Sequence, residues 1–262
     1  MLFRSEAVAL TLTGPQVTAF TREAGSWVAR ARADLTERYD VHDETWLSGL
    51  TVSHSMGRFG QLGLRDLRLV SQSDGSPYLR DGRLLLTATS AGPGGFTTGH
   101  CSVWSLDPET LELEHRADLF VRRGVDHGVY GDHAAHLLRD GDRWLLAAST
   151  WGDFDPHRRP VGVVLAETTD DVTRGVHVLD GRPFALPTDG FRSVGVWDPH
   201  LVRSGSGWLV GYVSATKYFR FHPVLAAGPD LDSLVLRAVA EGHRETEGTT
   251  LTRLTGPDGE WR

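Results

Sequence analysis

At 262 residues the chain is long enough to bury a substantial core, and a single all-β domain of that size is ordinary. The formal net charge of -7 argues against a nucleic-acid partner, since phosphate binding needs a basic footprint. The lone cysteine, Cys101, excludes an internal disulfide, and no stretch is apolar enough for long enough to span a bilayer. Met1 to Glu6 carry no basic-then-apolar leader pattern, so a soluble, cytoplasmic protein without a membrane partner is expected.

In chain order, Ala7–Leu12 and Trp27–Ala33 read as strands around the turn residues Gly14-Pro15 and Gly25-Ser26. The second run alternates apolar residues with arginine, the period of a sheet with one wet face; a helix through Ala24 to Arg38 is the competing reading. Trp46–Val52 reads as another strand. From Leu64 the pattern sharpens into a four-strand series: Asp66–Val70, Arg83–Thr89, Cys101–Leu106 and Leu111–Leu119. A second series runs from Tyr130 through Val161–Ala166 to Gly175–Leu179, and a third from Trp197 to about Ala240. A fourth opens at Glu247.

These series share one unit. In Gly128–Ser149 an acid beside a glycine precedes an apolar strand, an Asp-Gly turn and a strand led by Trp144. Asp-Gly between apolar runs is a strong hairpin signal. The unit recurs at Val196–Val210 with Trp208, and again from Glu247 to Asp258-Gly259-Glu260-Trp261; Tyr78–Thr87 is a degenerate copy. Four-stranded units recurring every fifty to sixty residues or so describe a β-propeller. Counting repeats against length predicts a single five-bladed β-propeller domain over 1–262, its last blade either truncated or closed by N-terminal strands. A truncated, open edge would favour aggregation.

In a propeller the start of each innermost strand faces the channel mouth. Asp132, Asp198 and Glu247 stand at or near that point in three successive units, and Asp66 offers the same position one unit earlier. Carboxylates gathered in one pocket cannot all ionise cheaply, so their proton affinities split. One acid and one base is what glycoside hydrolysis requires.

Trp197-Asp198-Pro199-His200-Leu201-Val202 resembles the Asp-Pro strand openings of five-bladed propeller glycosidases, notably glycoside hydrolase family forty-three and relatives. Glu247-Gly248-Thr249 is similar to the Glu-Gly-Pro opening that carries their general acid. The resemblance covers residues 60 to 262 or so, and implies Asp132 as base, Asp198 as the residue tuning the acid and Glu247 as the acid. It departs at Gly131-Asp132-His133, which lacks the proline and lies two residues early, and at Thr249; the Arg-Asp opening at Asp66 offers an alternative base. The resemblance further implies a carbohydrate substrate, no required cofactor, and a calcium or similar ion in the channel near His136 or His200.

His133 and His200 flank the acidic motifs and are expected beside the substrate; as a metal pair, His133 and His136 are badly spaced, since odd spacing on a strand sends the rings to opposite faces. Trp197 is the expected sugar platform, with other aromatics assigned to blade packing. Arg192 is a candidate for reading an anionic sugar substituent, with a solvated face as the alternative. No phosphate loop, dinucleotide fingerprint or Gly-x-Ser-x-Gly elbow occurs. Two rivals to hydrolysis are a non-catalytic carbohydrate-binding propeller and a phosphorylase or transferase.

Overall fold

A computed structural model describes residues 6–51, 63–92, 95–126, 128–155, 157, 160–252, 254 and 257. Strands β1 (Ala7–Thr13), β2 (Gln16–Glu23) and β3 (Ser26–Asp34) form a three-stranded antiparallel meander. The strand reading of this segment therefore holds over the helical one. The Gly14 turn lies so close to the carbonyl of Thr97 that a Cβ there would collide, which requires glycine.

Trp46 and its neighbours are not a strand. Asp43 accepts the Thr45 N–H at 2.8 Å and caps a short helix, α1 (Glu44–Ser48). The cap supplies a local partner that a strand reading of Trp46–Val52 lacks.

The first four-stranded unit contains β4 (Leu64–Leu69), two short strands β5 (Ser71–Gln72) and β6 (Leu79–Arg80), then β7 (Arg83–Ser90), β8 (His100–Leu106) and β9 (Leu113–Arg122). After β10 (Val129–Tyr130), the second unit is β11 (His133–Asp140), β12 (Arg143–Ser149), β13 (Val163–Thr168) and β14 (Gly175–Pro183). The third is β15 (Gly195–Ser204), β16 (Gly207–Lys217), β17 (Arg220–Gly228) and β18 (Val235–Val239). The hairpin turns expected at Asp81-Gly82 and Asp140-Gly141 join β6–β7 and β11–β12, and a turn at Gly205-Ser206 joins β15–β16.

Strands of the second unit are apolar on both faces because each face meets a neighbour. Leu137, Leu146, Ala148 and Val164 bury against Leu85, Val103 and Leu119 of the first unit. The alternate residues Leu138, Leu145, Ala147 and Leu165 bury against Leu201, Val210 and Tyr212 of the third. A strand's period of two thus divides one run, such as Leu137-Leu138, between two cores. Cys101 lies in the first of them, its thiol pushed up by burial.

The arrangement departs from a purely radial one. The outer strands β9 and β14 pair in parallel, Ala117 to Arg122 against Gly175 to Asp180, and β5 pairs with β11. The first two units therefore share one 11-stranded, nearly closed sheet, with the third unit a separate four-stranded sheet. Pairing β9 with β14 covers two edges that would otherwise be open. Three four-stranded units and the three-stranded N-terminal sheet are present among the described residues. Among the described residues the N-terminal meander pairs only with itself. Residues 246–252 pack on the third unit without strand ladders, and Trp261 lies outside the described residues. No described helix is long and apolar enough to cross a membrane.

Candidate active site

The site is built on a defect that recurs at the start of each innermost strand. The ladder slips between Arg65 and Arg68, between His133 and His136, and between Trp197 and His200. Inside each slip one residue is left-handed: Asp66 at φ 56°, Ala134 at 47° and Asp198 at 53°. A bulge of this kind kinks a strand and re-aims its side chains. Holding a residue with a Cβ in that conformation costs about 1 kcal/mol or more, and such strain gathers at functional sites. The bulges are tied to the neighbouring unit in one way: Thr89 Oγ1 accepts the Ala134 N–H at 3.0 Å, and Ser149 Oγ accepts that of Asp198 at 2.9 Å.

The pattern extends one step further. Leu201 N–H donates to Nδ1 of His136 at 3.1 Å, and Leu251 N–H donates to Nδ1 of His200 at 3.4 Å. Equivalent donors align Leu251 with Leu201, and hence Gly248, at φ 75°, with Asp198. Glu247 then matches Trp197, one residue ahead of the left-handed position. Its carboxylate nonetheless arrives beside Asp198, because Asp198 Oδ2 accepts the Gly248 N–H at 2.8 Å. Trp197 Nε1–H donates to Glu247 Oε2 at 3.3 Å.

Asp66, Asp198 and Glu247 line one cavity of about 290 Å³, with Arg65, His133, Ala134 and an aromatic wall. The wall includes Phe96 stacked on Trp151 at 4.7 Å, and Trp151 edge-on to Trp197 at 5.4 Å. Tyr218, Phe219 and Phe221 come from the β16–β17 hairpin. Burial, and the charges of Asp66 and Glu247, push Asp198 up to about 7. Arg68 and the Gly248 N–H oppose that shift. Arg68 is itself buried, which draws its pKa down, and its guanidinium donates to the carbonyls of Thr249 at 2.5 Å and Asp198 at 3.2 Å.

Asp132 does not join this group. Its carboxylate is 1% exposed and receives two hydrogen bonds from Arg123, at 3.0 and 2.5 Å, and the Gly152 N–H at 3.3 Å. It lies two residues ahead of the bulge, and the position held by Asp66 and Asp198 in the adjoining units is Ala134 in this one. The expected convergence of Asp132 with Asp198 and Glu247 is thereby corrected: the third carboxylate on the cavity is that of Asp66.

The histidines divide by position. His133 lines the cavity, accepts from Arg65 Nη2 at 3.2 Å, and is held down to about 3 by burial and by Arg65. His200 is drawn down to about 4 by burial and stacks on His136 at 4.0 Å, behind the cavity rather than on it. Both nitrogens of His136 are engaged, Nδ1 by Leu201 and Nε2 with Ser71 Oγ at 3.1 Å, so the ring has no lone pair to offer a cation. Among the described residues no three His, Cys, Asp or Glu side chains gather to hold a metal. Arg192 is exposed and off the cavity wall; Arg65 is the cation on it. Phe96 is a wall residue that sequence patterning does not reveal, since it comes from the loop between β7 and β8.

No protein-family model and no curated protein matches this sequence. Similar solved structures include a xylan β-1,4-xylosidase from Bacillus halodurans C-125, at 14% identity and TM-score 0.50, covering 97% of this chain and 45% of that one. An α-L-arabinanase of Penicillium chrysogenum, complexed with arabinobiose, is similar at 13% identity and TM-score 0.46, covering 89% and 62%. A family 32 β-fructofuranosidase of Bombyx mori follows at 16% and 0.44, covering 67% and 35%. The chain spans less than two thirds of the length of each. What it has in common with the xylosidase, along nearly its whole length, is the all-β propeller fold.

Proposed function

We propose that this chain hydrolyses a glycosidic bond with inversion, using Asp66 as general base, Glu247 as general acid and Asp198 to tune the acid. The observation that carries this reading is the shared cavity: three carboxylates from three separate units face one space walled by aromatic rings. Flat rings suit the apolar faces of sugars, and paired carboxyls suit protonation of the leaving oxygen on one side and activation of water on the other.

In this scheme Asp66, with Arg65 at 3.7 Å to orient it, takes a proton from water as the oxygen attacks the anomeric carbon. The glycosidic bond breaks and Glu247 gives its proton to the departing oxygen. Trp197 fixes one Glu247 oxygen through its indole N–H, leaving the other to carry that proton. Asp198 stands beside Glu247, its Oδ2 accepting the Gly248 N–H at 2.8 Å, and is the group placed to act on that acid. Both proton transfers in this scheme run through side chains: Asp66 accepts from water and Glu247 gives to the leaving oxygen.

The test is turnover of a panel of aryl glycosides by the wild type and Glu247→Gln. General-acid loss is expected to lower kcat about 10²–10⁴-fold for a poor leaving group and much less for an activated one. Equal activity of Glu247→Gln on both would remove Glu247 from the role. Sugar affinity without release of reducing sugar would favour a binding propeller, and strict dependence on inorganic phosphate a phosphorylase.

A further inference from the structure

We propose that the buried Asp132–Arg123 pair is a positioning device for the aromatic wall of the cavity, and so governs how tightly the sugar is held. The proposal rests on the glycosidase reading above for its ligand. It starts from four consecutive residues, Trp151-Gly152-Asp153-Phe154. The outer two, Trp151 and Phe154, line the cavity. The inner two are tethered from behind: Asp132 Oδ1 accepts the Gly152 N–H at 3.3 Å, and Arg123 Nη1 donates to Asp153. Arg123 closes the triangle through its two hydrogen bonds to Asp132 and lies over the Tyr130 ring at 3.9 Å.

Two further observations make the tether matter. A Cβ at Gly152 would stand 2.5 Å from the Gly131 carbonyl and 3.2 Å from Asp132 Oδ1, so only glycine lets the loop lie this close to the ion pair. Behind the loop is a second cavity of about 410 Å³, bounded by Arg123, Asp153, Thr150 and Gly162. The loop thus stands between two spaces, tethered on the second side by hydrogen bonds from Gly152 to Asp132 and from Arg123 to Asp153.

Stability alone does not explain the pair. A buried ion pair is often matched or bettered by apolar residues of similar volume, whereas only polar groups can hold a backbone N–H and a neighbouring carboxylate in register. Trp151 held at this height stacks on Phe96 and braces Trp197, whose indole holds Glu247.

The experiment compares Asp132→Asn, Asp153→Ala and the apolar double variant Arg123→Met/Asp132→Leu, which removes both members of the buried pair. Asparagine keeps an acceptor for Gly152, so Asp132→Asn is expected to raise KM by about threefold with kcat within about threefold. The double variant should raise KM about tenfold with a smaller change in kcat, and Asp153→Ala should fall between them. Amide exchange in a peptide covering 150–154 should accelerate in the double variant and in Asp153→Ala, with the β11–β12 core still protected. A drop in kcat of about 10² or more for Asp132→Asn at unchanged KM would assign proton transfer to Asp132 and overturn the positioning role. Unchanged exchange and unchanged KM in Asp153→Ala and the double variant would overturn it as well. If the wild type turns over no glycoside, the exchange measurement alone decides the tether, so failure of the enzymatic reading is told apart from failure of this one.

Discussion

The Asp198 carboxylate accepts the backbone N–H of Gly248 at 2.8 Å, so the acid of one unit fixes the backbone beside the acid of the next. Two features meet in one side chain, a carboxyl in the same cavity as Glu247 and a hydrogen bond that holds the next residue, Gly248. Asparagine keeps the acceptor and removes the charge, whereas alanine removes both. Asp198→Asn is therefore expected to lower kcat/KM by about 10–10²-fold, and Asp198→Ala by about a further tenfold, measured on one aryl glycoside. Equal losses would show that only the charge matters.

The same residue predicts a pH dependence of stability. Asp198 sits near 7 in the folded protein, against about 4 for an ordinary carboxyl in an unfolded chain. Between those values the native state binds more protons than the unfolded one, so stability from this group falls as pH rises from about 4 to 7 and then levels off. The loss is at most about 4 kcal/mol. Asp198→Asn lacks it, and should gain on the wild type in urea melts at pH 8 but not at pH 4. A pH-independent difference would place the Asp198 proton elsewhere.

Arg68 is buried beside Asp198 and donates to the carbonyls of Asp198 and Thr249. Replacing it with methionine leaves those carbonyls unpaired and removes the cation that holds the Asp198 proton affinity down. Arg68→Met should cost about 3–5 kcal/mol of stability and move the Asp198 titration upward, read by denaturant melts and by carboxyl NMR. An unmoved titration would show that Arg68 does not act on Asp198.

Inversion has its own readout. Proton NMR taken in the first minutes of hydrolysis should show the sugar anomer opposite to that of the substrate, before mutarotation mixes the two. Initial retention would mean that one carboxylate attacks carbon directly.

The sequence alone determined a good deal: the hairpins closed by Asp81-Gly82 and Asp140-Gly141, the strands led by Trp144 and Trp208, and the all-β class. These depend on local turn chemistry and on a period of two, both carried by neighbouring residues. It also marked Asp198 and Glu247, and offered Asp66, because acids at repeat positions are visible as such. Even the offset of Asp132 was legible when His136-Leu137 is laid on His200-Leu201. The meaning of that offset was not: two residues along a kinked strand separate a cavity wall from a buried ion pair, and the partner, Arg123, carries no pattern that announces it. Only tertiary structure could decide the parallel pairing of β9 with β14, the meeting of Phe96 with Trp151, and the closing of both His136 nitrogens to a metal. Each joins residues tens of positions apart through contacts between side chains or strand edges. Such contacts are selected by global packing, which leaves no periodic trace in the chain that makes them.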